Sequence, residues 1–180
     1  DLGRSRGIGD VYKRHDTYTM QGLLDTVQSN GGAYYVGKTQ HNVRGQVAER
    51  WLGSTTGVVK QLYAYAAAEN FRLVTLKAGT RPTYDNRQNI AYTYDDAGNV
   101  LTIADAAAYG GSQALRFTYD ALDRLQTACT LNGATCSTGN GNYGVYSQRR
   151  YAYNNAGNIP TFENVAFTYQ GGPHKHSAYP

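Results

Sequence analysis

Asp95 and Asp120 recur in matching settings, and a pair of carboxylates could divide the work of a general acid and a general base. That chemistry needs the two groups to converge in one cleft. Each of these follows a tyrosine and stands three residues ahead of Gly98 or Asp123, types that tolerate a left-handed backbone, so opening a turn is a sufficient role for both. His174 and His176 alternate and would share a face of a strand, yet no third or fourth metal ligand accompanies them, and the plainer reading is an exposed tail. His15 and His41 stand alone. No Gly-rich phosphate loop, nucleophile elbow or zinc-protease helix motif is present, and Gly139-Asn140-Gly141-Asn142 reads as loop because no helical pattern follows it. The expectation is a chain with no catalytic residue, no cofactor and no metal.

Cys129 and Cys136 flank Asn132-Gly133, a type I′ turn signal, and folding back there carries the two sulfurs toward each other across a hairpin. A disulfide closing so short a loop contributes roughly 2–3 kcal/mol by chain entropy and implies an oxidising compartment. Two buried free thiols are the alternative.

Composition narrows the classes further. The 180 residues suffice for one sizeable core or one block of a repeat array. Charged residues make up only 17%, while Gly reaches 21 and Tyr 17, which suits β-strands joined by many tight turns. The net charge of +4 is a weak sign of an acidic partner. The 12 arginines, Arg149-Arg150 included, are scattered among acidic residues rather than clustered, which argues against nucleic acid. No run of about 18 apolar residues occurs, so no helical membrane span is expected. The chain opens Asp1-Leu2-Gly3-Arg4, with no initiating Met or signal-type apolar stretch, and reads as a processed product or an excerpt.

The elements that position these residues are set by an internal repeat. Tyr92-Thr93-Tyr94-Asp95-Asp96-Ala97-Gly98-Asn99-Val100 recurs as Phe117-Thr118-Tyr119-Asp120-Ala121-Leu122-Asp123-Arg124-Leu125 and as Tyr151-Ala152-Tyr153-Asn154-Asn155-Ala156-Gly157-Asn158-Ile159. Weaker copies run from Tyr18 to Leu24, from His41 to Val47 and from Tyr63 to Leu73, and Phe167-Thr168-Tyr169 starts a possible seventh. Each unit reads as a β-hairpin: alternate aromatics on one strand face, an Asp or Asn opening a type I turn, and a Gly or its substitutes Asp123 and Asn70 closing it with a bulge. An apolar residue then begins the return strand. Successive motif aromatics, with His41 taken for one, are 23, 24, 29, 25 and 34 residues apart, so variable loops such as 105–112 and 129–147 belong at hairpin ends. The Ala-rich stretches at 66–68 and 106–108 are too short for stable helices and are expected as loops.

At these residues the chain resembles the YD-repeat or Rhs family, most specifically at Tyr94-Asp95 through Val100 and at Tyr119-Asp120 through Leu125, and loosely before Tyr65. Arg44-Gly45-Gln46-Val47, followed by Leu52-Gly53 and Gly57-Val58, is similar to stretches of the same arrays. The resemblance implies a ribbon of antiparallel hairpins spiralling into a hollow shell, as in bacterial Rhs and Tc toxins and in teneurins, commonly around a toxic C-terminal segment. The paired aspartates of that family's self-cleaving region have no counterpart here, so autoproteolysis is not carried over.

These readings make one all-β array over residues 1–180, clear from about 60 to 170 and degenerate from 10 to 60, forming a partial spiral shell or an open repeat array. Its structural motif residues are Tyr94, Asp95, Gly98, Asn99, Tyr119, Asp120, Asp123, Arg124, Tyr153, Asn154, Gly157 and Asn158. The expected role is a secreted or surface-displayed structural wall, either enclosing a toxin segment or self-assembling into filaments through unpaired sheet edges. Its partners would be copies of itself, neighbouring repeats of a longer parent chain, or an enclosed toxin. Adhesion to surface glycans through exposed tyrosines is the alternative, with Tyr34, Tyr35, Tyr143 and Tyr146 left open between packing and contact.

Overall fold

The computed structural model describes residues 14–54, 59–107, 111–138, 145–162, 165–169 and 178–179. His174, His176, Tyr143 and the Gly57-Val58 and Gly139–Asn142 stretches lie outside them.

Alternating, β-branched and aromatic segments separated by Gly, Asn and Asp become strands in chain order. These are β1 (Arg14–Tyr18), β2 (Leu24–Ser29), β3 (Tyr34–His41), β4 (Val47–Leu52), β5 (Val59–Ala66) and β6 (Arg72–Thr80). They continue with β7 (Gln88–Tyr94), β8 (Val100–Asp105), β9 (Gln113–Tyr119), β10 (Leu125–Asn132), β11 (Thr135–Cys136) and β12 (Arg149–Arg150). The hydrogen-bonded order follows the sequence from β1 to β11, with β12 beside β10, and the paired strands run antiparallel. Two short pairs follow, β13 (Thr161–Phe162) with β14 (Val165–Ala166) and β15 (Thr168–Tyr169) with β16 (Ala178–Tyr179). No α-helix occurs among the described residues; the Ala-rich stretch at 66–68 gives one 3-10 turn, Ala67–Glu69.

By contact, the chain divides into two compact units. One comprises Asp1–Ala91 with Ala106–Ala108, the other Tyr92–Asp105 with Tyr109–Pro180. In the first, Thr39 and Ala78 are buried; in the second, Ala128, Cys129, Thr130 and Asn158 are. Most strand residues are half-buried, as in a sheet that carries its stability across many cross-strand pairs rather than in one deep core.

The hairpins carry an irregularity beyond the expected glycine bulge. Tyr18 faces Leu24 but Thr17 faces Thr26, so Asp25 is unopposed; His41 and Val47, Tyr65 and Leu73, and Tyr119 and Leu125 repeat this, leaving Ala48, Val74 and Gln126 as extra residues. A bulge at the same step of four hairpins bends each return strand in the same way.

The Asn132-Gly133 pair does not form the centre of the expected type I′ turn: Asn132 pairs with Thr135 inside the ladder, and Gly133 (φ 64°) with Ala134 makes the two-residue loop. Glycine at the first central position is the II′ pattern. The copy at Tyr151–Ile159 keeps its turn but is not flanked by two ladder strands, because Pro160 directly after Ile159 has no N–H to donate. Among the described residues Arg149–Arg150 forms the ladder with β10 there, extended by the Tyr151 N–H donating to the Gln126 carbonyl at 2.9 Å.

Candidate functional site

One five-residue turn recurs through the array. In each copy the first residue's N–H donates to the fifth residue's carbonyl, and the fourth residue's N–H donates to the first residue's carbonyl. This holds at Thr19–Leu23, Asn42–Gln46, Asp95–Asn99, Asp120–Arg124 and Asn154–Asn158, with distances of 2.7–3.0 Å. The side chain of the first residue completes it. Asp95 Oδ1 accepts from Gly98 N and Asn99 N (both 2.8 Å), Asp120 Oδ1 from Leu122 N (2.9 Å) and Arg124 N (3.0 Å), and Asn154 Oδ1 from Ala156 N and Asn158 N (both 3.0 Å). The fourth position is left-handed in each of these: Gly98 at φ 98°, Gly157 at 82° and Asp123 at 57°; Asn70 takes 51° at its own turn. Ser29–Ala33, between β2 and β3, makes the same pair of backbone bonds at 2.8 and 3.0 Å, a copy that carries no aromatic and so escapes a search keyed on tyrosine.

The tyrosine that ends the outgoing strand reaches back to the hairpin before it. Tyr65 donates its hydroxyl to the Val47 carbonyl, Tyr119 to Val100 and Tyr153 to Leu125, each at 2.9 Å, and Tyr169 to Ile159 at 2.7 Å. The acceptor is always the first residue after the preceding turn. Burial raises the Tyr65 and Tyr119 phenols above their ordinary value; the neighbouring Tyr63 adds to this at Tyr65, and the Asp95 carboxylate adds to it at Tyr119. These clasps combine ring packing with a satisfied polar tip.

Further links run sideways from the last turn positions. Asn99 Nδ2 donates to Asp95 Oδ2 (3.0 Å) in its own turn and to Asp123 Oδ1 (2.8 Å) in the next. Arg124 grips Asp120 Oδ2 through Nε (2.7 Å) and Nη2 (2.6 Å), and its guanidinium lies 4.3 Å from the Tyr153 ring centre. Within the first unit, Gln46 Nε2 donates to the Phe71 carbonyl (3.0 Å) and the Arg44 guanidinium sits 3.3 Å from the Phe71 ring centre. A third recurrent device pairs threonine hydroxyls across the hairpin: Thr17 with Thr26 (2.7 Å), Thr93 with Thr102 and Thr118 with Thr127 (both 2.6 Å). Its sequence signal is threonine nine residues after threonine, bracketing the turn.

The motif residues are therefore brought together as joints between hairpins. Tyr94 ends β7 and Tyr119 ends β9; Asn158 is buried. Hydrogen bonds from Asn99 hold the Asp95 carboxyl below its usual range, and those from Arg124 do the same for Asp120. Both carboxylates are thus occupied by their own turns. No group of three or more metal-ligating side chains occurs among the described residues. Cys129 and Cys136 are joined in a disulfide with Cα atoms 5.6 Å apart, and Arg116 Nη2 approaches the Cys136 sulfur at 3.4 Å. Of the tyrosines left open between packing and contact, Tyr35 is exposed, while Tyr34 and Tyr146 are half-buried, with burial raising the Tyr146 phenol.

No family model matches the chain, nor does any curated protein. Solved structures do. The chain is similar to one in the crystal structure of TcdB2-TccC3-Cdc42, with a TM-score of 0.64 and 21% identity over 92% of this chain and 9% of that one. A chain of TcdB2-TccC3-TEV gives 0.60 and 20% over 92% and 8%, and one of the Photorhabdus luminescens Tc holotoxin pore gives 0.56 and 19% over 93% and 9%. The chain thus spans less than a tenth of the length of these solved chains. Its antiparallel hairpin array is a fold shared with segments of Tc toxin complexes.

Proposed function

We propose that this chain is a length of structural wall in a longer YD-type hairpin array, secreted or displayed at a surface, that encloses a toxin segment and performs no catalysis of its own. The carrying observation is the recurrent tyrosine clasp, in which the motif phenols at Tyr65, Tyr119, Tyr153 and Tyr169 join one hairpin to the one before. The likeness to Tc toxin segments supports a shell in preference to a free filament, and the disulfide supports an oxidising compartment. Electron microscopy of the full product of the parent gene tests the reading. Hollow sheet-walled particles with this segment in the wall are expected; a product in which the segment projects from any such particle, or substrate turnover that disappears with Asp95→Asn or Asp120→Asn, overturns it. Glycan adhesion is the second reading, and it rests on the exposed rings of Tyr18 and Tyr35, 60% and 61% accessible. A glycan array without a saturable ligand removes it.

A further inference from the structure

The clasp row contains one substitution, and a cleft lies beside it. His41 occupies the slot filled by Tyr65, Tyr119, Tyr153 and Tyr169 elsewhere, and it pairs with Val47 at the same bulged step that Tyr65 and Tyr119 occupy in their hairpins. By that equivalence its acceptor would be the carbonyl of Leu24, the first residue after the Thr19–Leu23 turn. An imidazole is shorter than a phenol and ends without a hydroxyl, so it fills less of the space a tyrosine side chain takes in the other repeats and does not span to a carbonyl as the phenols do. At this place the first unit has a cleft of about 740 Å³, lined by Thr19, Leu23, Thr39, His41 and Gly45 among others. Two lining residues carry orphaned polar atoms. Thr39 is 4% exposed and its Oγ1 has no hydrogen-bond partner among the described residues, and the same is true of His41 Nδ1. Buried polar atoms without partners cost free energy and call for an explanation.

We infer that the cleft beside His41 is a binding site for a phenol ring, presented as a tyrosine side chain on a polypeptide segment. The array itself supplies the ligand chemistry, since the equivalent position is filled by tyrosine in the other repeats, and at Tyr65, Tyr119, Tyr153 and Tyr169 the hydroxyl donates to backbone. The wall is also of the right kind. Leu23 offers an apolar surface, and Gly45 at φ 78° has no side chain to close the mouth. Both orphaned atoms are turned away from solvent as they stand, and a hydroxyl that both donates and accepts suits the Thr39 and His41 pair once the threonine turns about χ1 and the imidazole about χ2 to face the cleft. The volume exceeds that of a bare ring and falls in the range that admits a ring with its attached chain, which favours a protein-borne tyrosine over a free phenol. No ligand charge is required, because among the described residues lining the cleft none is a lysine, arginine, aspartate or glutamate. This inference does not depend on the shell reading, since it concerns one joint of the hairpin array.

The test titrates the full chain with N-acetyl-tyrosinamide and with p-cresol, using N-acetyl-phenylalaninamide and toluene as partners lacking the hydroxyl, and follows the amide resonances of Leu23, Thr39 and Gly45. Saturable shifts at those amides are expected, with the tyrosine amide bound about threefold to tenfold more tightly than its phenylalanine counterpart, the discrimination one hydrogen bond supplies. Thr39→Val should narrow the gap between the two amides, since only the His41 partner remains to the hydroxyl, and a gap left unchanged would overturn the assignment; His41→Tyr should abolish binding while raising Tm, since it fills the cleft from within. Absent or non-saturable shifts, equal affinity with and without the hydroxyl in the unmodified chain, binding of p-cresol but not of the tyrosine amide, or undiminished binding in a folded His41→Tyr chain would each overturn the assignment. If His41→Tyr does not fold, the Thr39→Val titration decides the matter alone.

Discussion

Replacing Tyr119 by Phe removes one oxygen from the clasp between two hairpins and leaves the ring in place. The lost contact is the 2.9 Å hydrogen bond to the Val100 carbonyl at a half-buried site, and a neutral bond of that kind contributes about 0.5–1.5 kcal/mol net. For a chain of this length a loss near 1 kcal/mol lowers Tm by roughly 2–4 °C. Chemical denaturation followed by circular dichroism at neutral pH should show that loss in the midpoint, with the slope unchanged because the surface exposed on unfolding is the same. The pH dependence provides a second, independent reading. Burial, reinforced by the Asp95 carboxylate, raises the folded Tyr119 pKa above the unfolded value. The stability this group contributes is therefore fully present below the unfolded pKa of about 10 and is lost as pH rises through the folded value. The phenylalanine chain has no such group to ionise, and every other tyrosine is common to both proteins. The gap between the two should therefore narrow between pH 9 and pH 11, with pH 9 and 11 chosen to be about a unit either side of the ordinary phenol value. A Tyr119→Phe chain as stable as the unmodified one at neutral pH, or a gap that stays constant across that range, would refute the claim that the hydroxyl and its carbonyl partner hold neighbouring hairpins together.

Other outcomes follow from the same geometry. Asp95 and Asp120 have depressed folded pKa values, so the stability they contribute is present above the unfolded value of about 4 and lost as pH falls through the folded ones; acid titrations of Asp95→Asn and Asp120→Asn chains should be flatter in that window than that of the unmodified chain. Gly98→Ala places a Cβ on a backbone at φ 98° and should cost about 1–2 kcal/mol in chemical denaturation, whereas Asp96→Ala, at an exposed position of the same turn, should cost far less. Replacing both Cys129 and Cys136 by Ala opens a loop of sequence separation 7 and should lower stability by about 2–3 kcal/mol, measurable as a fall in Tm of roughly 5–10 °C.

The turns are legible in the sequence because each depends on local chemistry: an Asp or Asn whose carboxyl or amide oxygen caps backbone N–H groups, then a residue able to go left-handed. Asp123 and Asn70 stand where the pattern wants glycine, and both take positive φ. The clasps are harder to read. Period-two alternation says which face of β9 carries the Tyr119 ring, but which carbonyl its hydroxyl meets depends on the bulge at Gln126 and on the spacing of neighbouring hairpins, neither of which is encoded within five residues. The threonine ladder was hidden for a related reason, since Thr118 and Thr127 become neighbours only once the turn between them has formed. At Cys129 and Cys136 the pairing was readable from the fold-back while the turn type was not, because the ladder extends one residue further, through Asn132, than the Asn-Gly signal suggests.

The four phenol bonds all point the same way along the chain: the donor belongs to the later hairpin and the acceptor to the earlier. Such an arrangement has a head and a tail. An extra hairpin appended at the C-terminal side must bring its own tyrosine, whereas one prepended at the N-terminal side need offer only a backbone oxygen, which any residue possesses. Growth of such walls by gene duplication is accordingly asymmetric in what it demands of the newcomer, and a register error that inverted one hairpin would silence two joints at once.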